Sequence, residues 1–142
     1  MSPQVLATLG LAICAAICGV GSAIGLYFTG SAAAGVLAED PKKFSKVLIL
    51  TVLPATQGIY GFVFAIIGMG SVATGGAGLF VAAMVLAVTG FVSAILQGKT
   101  AVAGIYAIAK DETLSGKLIL FPAMVETYAI LGLVISILLM GV

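Results

Sequence analysis

The chain has 142 residues, of which 62% are apolar and only 8% charged, with a formal net charge of +1 and a mean hydropathy of +1.31. A soluble domain carries charge on about a quarter of its residues, so this composition excludes a water-soluble globule and makes a bilayer the natural solvent. There is no His, Arg or Trp; the absence of His and the presence of only two Cys exclude zinc and redox-metal sites of the usual spacing and imply no disulfide framework, and no nucleic-acid partner is expected.

Met1-Ser2-Pro3-Gln4 has no positive residue ahead of the first apolar run, so that run is expected to stay as a membrane span and not to be a cleaved signal. It extends from about Pro3 to Val36 and carries a line of small residues, Ala15, Gly19 and Ala23. Cys14 and Cys18 within it read as small lipid- or helix-facing residues. A polar loop follows, Glu39-Asp40-Pro41-Lys42-Lys43 with Lys46 beyond it. The second span runs from about Phe44 to Met69. Leu53, Thr56, Gln57 and Tyr60 occupy positions i, i+3, i+4 and i+7 of this span, which is one face of a helix. Pro54 lies beside that face. It removes a helical hydrogen bond and offers a loosened turn with a free backbone ligand. The next connection, Gly70 to Gly76, is uncharged.

The third span runs from about Ala77 to Ile108, with a second small-residue line of Gly90, Ala94 and Gly98, and with Gln97 about a dozen residues before the next loop. That loop holds Lys110-Asp111-Glu112, with Lys117 beyond. The fourth span runs from about Gly116 to Val142; Pro122, read as a simple kink, precedes Glu126 by one turn. Each segment exceeds the ~20 apolar residues that cross ~30 Å of hydrocarbon. Every lysine lies in or near the two polar loops, Lys99 being the deepest. Positive charge marks the cytoplasmic side, so loops 38–46 and 110–117 are expected there and both termini on the opposite side of the cell membrane.

A shift of 71 residues superposes the chain on itself without gaps. Ser22-Ala23-Ile24 falls on Ser93-Ala94-Ile95, Asp40 on Asp111, Lys46 on Lys117, Thr56 on Thr127, Gly61 on Gly132 and Met69-Gly70 on Met140-Gly141. Loops match as well as helices, so shared apolar composition does not explain it. The reading is an all-α membrane protein, one membrane domain over 1–142, built from two tandem-duplicated hairpins at 3–70 and 77–142. A closed ring of such hairpins would place the small-residue first and third spans on its narrow inner circle, because small residues let helix backbones approach.

Glu126 is the only carboxylate outside the loops. A charge at that depth costs ~2.5 kcal/mol or more, and either a proton or a bound cation relieves it. Thr56, Gln57 and Gln97 fall at nearly the same depth, and together they supply carboxylate, amide and hydroxyl oxygens of the kind that suit a hard monovalent cation such as Na⁺. A proton needs only Glu126 and one acceptor. Under the shift, Glu126 falls on Ala55 and Gln97 on Leu26, so one site serves four helices.

Leu53-Pro54-Ala55-Thr56-Gln57-Gly58-Ile59-Tyr60-Gly61-Phe62, Leu96-Gln97-Gly98-Lys99 and Met124-Val125-Glu126-Thr127-Tyr128-Ala129-Ile130-Leu131-Gly132 resemble the rotor-ring proteolipid of V-type and A-type ATPases. The likeness is greatest to the bacterial sodium-pumping branch and covers the whole chain. The resemblance implies a homo-oligomeric ring in lipid, central-stalk subunits docked on the cytoplasmic loops, and a stator membrane subunit presenting a basic residue. It implies Na⁺ as the transported ion, held by the Leu53 carbonyl, Thr56, Gln57, Gln97 and Glu126, with Tyr60 hydrogen-bonded to the carboxylate to hold the site shut. The chain has no phosphate-binding loop, so it is expected to be a non-catalytic subunit. A proton-coupled ring, a small secondary transporter and an ion-free structural membrane protein are the alternatives.

Overall fold

The computed structural model describes residues 1–140; the predicted end of the fourth span at Val142, and the Gly70–Gly141 match of the repeat, lie outside the described residues. The described chain is all-α, with four helical segments long and apolar enough to cross a membrane. The first is one unbroken helix, α1 (Pro3–Glu39). Ser2 starts it: its hydroxyl accepts from the Val5 amide at 3.3 Å, and Pro3 occupies the first turn, where a missing N–H costs nothing.

The second segment is divided. A 3₁₀ turn at Pro41–Lys43 leads into α2 (Phe44–Val52), a second 3₁₀ turn covers Leu53–Ala55, and α3 (Thr56–Met69) completes it. Pro54 has no amide to give the Leu50 carbonyl, and the chain answers by tightening. The third segment is α4 (Val72–Lys110). Here the predicted uncharged link is shorter than its sequence suggested, since helix resumes at Val72. Gly76, at φ 42°, ψ −127°, then interrupts it. That left-handed backbone suits glycine alone, and the regular helix begins at Ala77, where the third span was expected to start. The fourth segment consists of a 3₁₀ turn at Glu112–Leu114, α5 (Ser115–Leu118) and α6 (Leu120–Leu139). Its break at Ile119 lies three residues before Pro122, which leaves the Leu118 carbonyl without its helical donor.

The duplication is visible in local geometry. Asp40 and Asp111 end α1 and α4 with nearly the same backbone, φ −143°, ψ 94° and φ −144°, ψ 102°. Each side chain then caps the following 3₁₀ turn, Asp40 accepting from the Lys42 amide at 3.1 Å and Asp111 from the Thr113 amide at 2.9 Å. The Thr113 hydroxyl and amide hold the Asp111 carboxyl below its ordinary range. Gly61 packs on Cys18, and Gly132 packs on Thr89, its repeat-equivalent pair. Lys43 donates to the Ala109 carbonyl and ties the first polar loop to the end of α4.

α1 and α4 form a parallel central pair, α3 packing mainly on α1 and α6 on α4. Backbones touch where they cross: a Cβ on Gly98 would lie 2.7 Å from the Gly25 Cα, and one on Gly21 would lie 2.8 Å from the Phe91 Cα. Of the two predicted small-residue lines, Gly90, Ala94 and Gly98 are buried in this contact. The other line is not. Ala15 and Gly19 are half-exposed and Ala23 exposed, and a Cβ on Gly19 would meet nothing within 4 Å. α1 buries its adjacent face instead, through Cys14, Cys18, Gly21 and Gly25, which makes both cysteines helix-facing. Two apolar clusters result. One gathers Cys14, Cys18, Phe64 and Leu86 toward the termini, the other Val47, Leu50, Ile105 and Ile108 toward the charged loops. Between them lies a polar layer. The second and fourth segments turn bulky side chains outward, among them Ile59, Phe62, Ile66, Leu131, Val134 and Leu138.

Candidate functional site

The polar layer is assembled from three segments that the sequence separates by 69 residues, from Gln57 to Glu126. The Leu53–Ala55 turn and the first two turns of α3 carry Leu53, Thr56, Gln57 and Tyr60. α4 contributes Gln97 and α6 contributes Glu126. Gln57 and Gln97 are fully buried. A buried amide without partners is costly, and each amide is satisfied by the other groups of the layer.

The connections run in sequence. The Thr56 hydroxyl lies 3.0 Å from the Leu53 carbonyl and 3.3 Å from Gln57 Oε1. Gln57 Nε2 donates to Gln97 Oε1 at 2.8 Å and to Ser93 Oγ at 3.2 Å. Gln97 Nε2 donates to Glu126 Oε2 at 3.1 Å and to the Pro122 carbonyl at 3.2 Å. Tyr60 donates its hydroxyl proton to Glu126 Oε1 at 2.6 Å. All six side chains and carbonyls singled out in the sequence therefore belong to one connected network, and none lies elsewhere. Each carboxyl oxygen of Glu126 has one donor, the Tyr60 hydroxyl on Oε1 and the Gln97 amide on Oε2. Glu126 is half-buried at the seam of the second and fourth segments, facing the outside of the single chain and not its centre.

Ser93 belongs to the layer and was not singled out as a site residue. Its hydroxyl donates to the Val125 carbonyl at 3.1 Å while accepting from Gln57. The signal was available, since Ser93 lies one helical turn before Gln97 on the same face. Pro122 also does more than kink the helix, because its carbonyl anchors the Gln97 amide. Pro54 was expected to loosen its turn and free a backbone ligand; the turn instead tightens into 3₁₀ form, and the Leu53 carbonyl accepts from the Thr56 amide with the Thr56 hydroxyl 3.0 Å away.

Chemically the layer is a cluster of oxygens around one carboxylate. Among the described residues, no three His, Cys, Asp or Glu side chains gather as a metal site. Carbonyl, hydroxyl, amide and carboxylate oxygens suit hard cations and not zinc or copper.

Comparison with known proteins gives a consistent result. A family model describing the C-subunit of ATP synthase matches residues 9–68 and again residues 80–139. The two matches are displaced by the interval of the internal repeat. V-type sodium ATPase subunit K of Enterococcus hirae is 48% identical over 141 residues, covering 96% of this chain and 90% of the relative. A-type ATP synthase subunit K of Methanocaldococcus jannaschii is 41% identical over 140 residues, covering 99% of this chain and 64% of that protein. V-type proton ATPase subunit c'' of Saccharomyces cerevisiae is 28% identical over 153 residues, covering 99% of this chain and 72% of that protein.

Proposed function

The chain belongs to the ATP synthase C-subunit family, and from that premise we propose that it is the ion-carrying rotor-ring subunit of a V-type sodium ATPase, taking one Na⁺ per protomer at Glu126. The observation that carries this reading is the buried amide of Gln97, which touches Gln57 on one side and Glu126 on the other. A proton carrier needs a carboxyl group and a single partner. Two fully buried glutamines at the same depth bring amide oxygens to the level of the carboxylate, a donor set that suits a larger cation. The similarity to a subunit named for a sodium ATPase points the same way.

In this reading the ligands are the Leu53 carbonyl, Thr56 Oγ1, Gln57 Oε1, Gln97 Oε1 and a Glu126 oxygen. Each already lies in the hydrogen-bonded network, and small rotations of the amides and the hydroxyl turn their oxygens inward. Tyr60 holds the other carboxylate oxygen and closes the site from the outer face. An ionised Glu126 paired with Na⁺ is neutral overall, which removes the cost of ~2.5 kcal/mol or more of carrying a bare charge at mid-membrane. Opening at the stator requires a competing positive charge, supplied by a basic residue of the stator, since this chain has no arginine. Because Glu126 sits at the outer seam, the stator can reach it from the lipid side of the ring. The lysine-bearing loops face the cytoplasm and receive the central stalk. ATP hydrolysis occurs on other subunits.

Carbodiimide labelling of Glu126 at fixed pH tests the assignment. Na⁺ is expected to suppress labelling. Equal labelling with and without Na⁺ would contradict it and favour the proton-coupled ring, the yeast relative being named for a proton ATPase.

A further inference from the structure

The first span contributes no group to the site, yet two of its hydroxyls hold the segment that does. Thr29 is fully buried on α1. Its hydroxyl donates to the Thr51 carbonyl at 2.7 Å, much closer than the Gly25 and Leu26 carbonyls of its own helix, both at 3.3 Å. In a continuous helix the Thr51 carbonyl would pair with the Ala55 amide. The 3₁₀ turn at Leu53–Ala55 directs that amide to the Val52 carbonyl, and Pro54 has no amide to offer in its place. Thr29 thus satisfies a carbonyl orphaned by the distortion that presents Leu53 and Thr56. One helical stretch further on, Ser22 accepts from the Gly58 amide at 2.7 Å, so the site-bearing turn is gripped on both sides.

The repeat gives an independent reason to read this grip as functional. Thr51 falls on Pro122 under the 71-residue shift, and the Pro122 carbonyl is held too, by Gln97 of α4. Both hairpins therefore fasten the same carbonyl of their second helix from the preceding helix. In the second hairpin the fastener is a site residue. In the first it is Thr29, whose own repeat partner, Thr100, only bonds back to the Leu96 carbonyl of its own helix at 2.9 Å. We propose that Thr29 is a positioning residue of the ion site: it locks the Leu53–Ala55 turn in the shape that aims the Leu53 carbonyl and the Thr56 hydroxyl at the ion. The inference rests on the sodium reading above.

The test uses the detergent-solubilised assembly of the full chain and reads the Na⁺ concentration that half-protects Glu126 from carbodiimide. Thr29→Val keeps the volume and deletes the hydroxyl. It is expected to raise that concentration about tenfold, the scale of one lost buried hydrogen bond, while labelling without Na⁺ keeps its pH profile. Thr29→Ser should restore the wild-type value and Thr100→Val should leave it unchanged. Thr29→Cys, a weaker donor, should fall between, and provides the reading should the valine assembly not form. Unchanged half-protection in Thr29→Val or Thr29→Cys would overturn the proposal, as would a Thr100→Val effect as large as that of Thr29→Val. Failure of Na⁺ to protect the wild-type protein would instead refute the sodium reading itself, and this inference with it.

Discussion

Replacing Gln97 by leucine probes the layer at its centre. The side chain is fully buried, so leucine fills most of its volume and leaves no large cavity. What disappears is chemical: one amide oxygen facing Gln57 and one N–H donated to Glu126 at 3.1 Å. A hydrogen bond to a charged group contributes about 1.5–3 kcal/mol, and 1.4 kcal/mol is a tenfold change in affinity. Loss of the contact should therefore weaken Na⁺ binding by roughly 10–100-fold. The assay is the Na⁺ concentration that half-protects Glu126 from carbodiimide at fixed pH. Labelling in the absence of Na⁺ should persist, because a proton needs only the carboxylate. An unchanged half-protecting concentration would show that the ion does not sit in this layer, since a buried group bonded to both Gln57 and Glu126 cannot be a spectator if the ion lies between them.

Glu126→Gln should abolish Na⁺ binding and ATP-driven transport while leaving the assembly intact by native mass measurement; pumping at the wild-type rate would exclude the role. Tyr60→Phe removes the 2.6 Å bond to the carboxylate, and with it about 1.5–3 kcal/mol. Na⁺ should then leave at least tenfold faster in an isotope-exchange experiment, and an unaltered exit rate would show that Tyr60 does not close the site. Gly98→Ala drives a methyl group into the Gly25 backbone, 2.7 Å from its Cα. Overpacking of this kind costs about 1–3 kcal/mol, so the thermal dissociation temperature of the assembly should fall, whereas Gly19→Ala, which meets nothing within 4 Å in the single chain, is expected to leave the protomer's own fold unchanged.

Much of this was legible in the sequence because the signals were strong and sparse. Five acidic and six basic residues in 142 leave little ambiguity about which segments are loops. An apolar background makes one glutamate and two glutamines conspicuous. The face of α1 was harder to read. A helix apolar all round has almost no contrast between its sides, and a line of small residues at four-residue spacing runs down two of them. The buried face proved to be the one with Gly21 and Gly25, where backbone meets backbone, and not the one with Gly19. Helix resumption at Val72 was masked by the glycines of the link, where the chain leaves the helix only at Gly70–Ser71 and again at Gly76, the one with positive φ. Ser93 was marked in the sequence only by its place one turn before Gln97, and Thr29 by nothing, because a hydroxyl in a membrane helix usually bonds to its own preceding turn. Thr100 and Thr89 do so here, and nothing in one sequence distinguishes them from Thr29. That distinction requires the third dimension, since Thr51 comes within 2.7 Å of Thr29 across 22 residues of chain.

Equilibrium binding of radioactive sodium to the solubilised assembly, measured across pH, decides whether Glu126 carries Na⁺. One saturable Na⁺ per chain is expected, displaced as acidity rises because protons compete for the same carboxylate, and absent in Glu126→Gln. No saturable binding at any pH, or binding that survives in Glu126→Gln, would contradict this assignment.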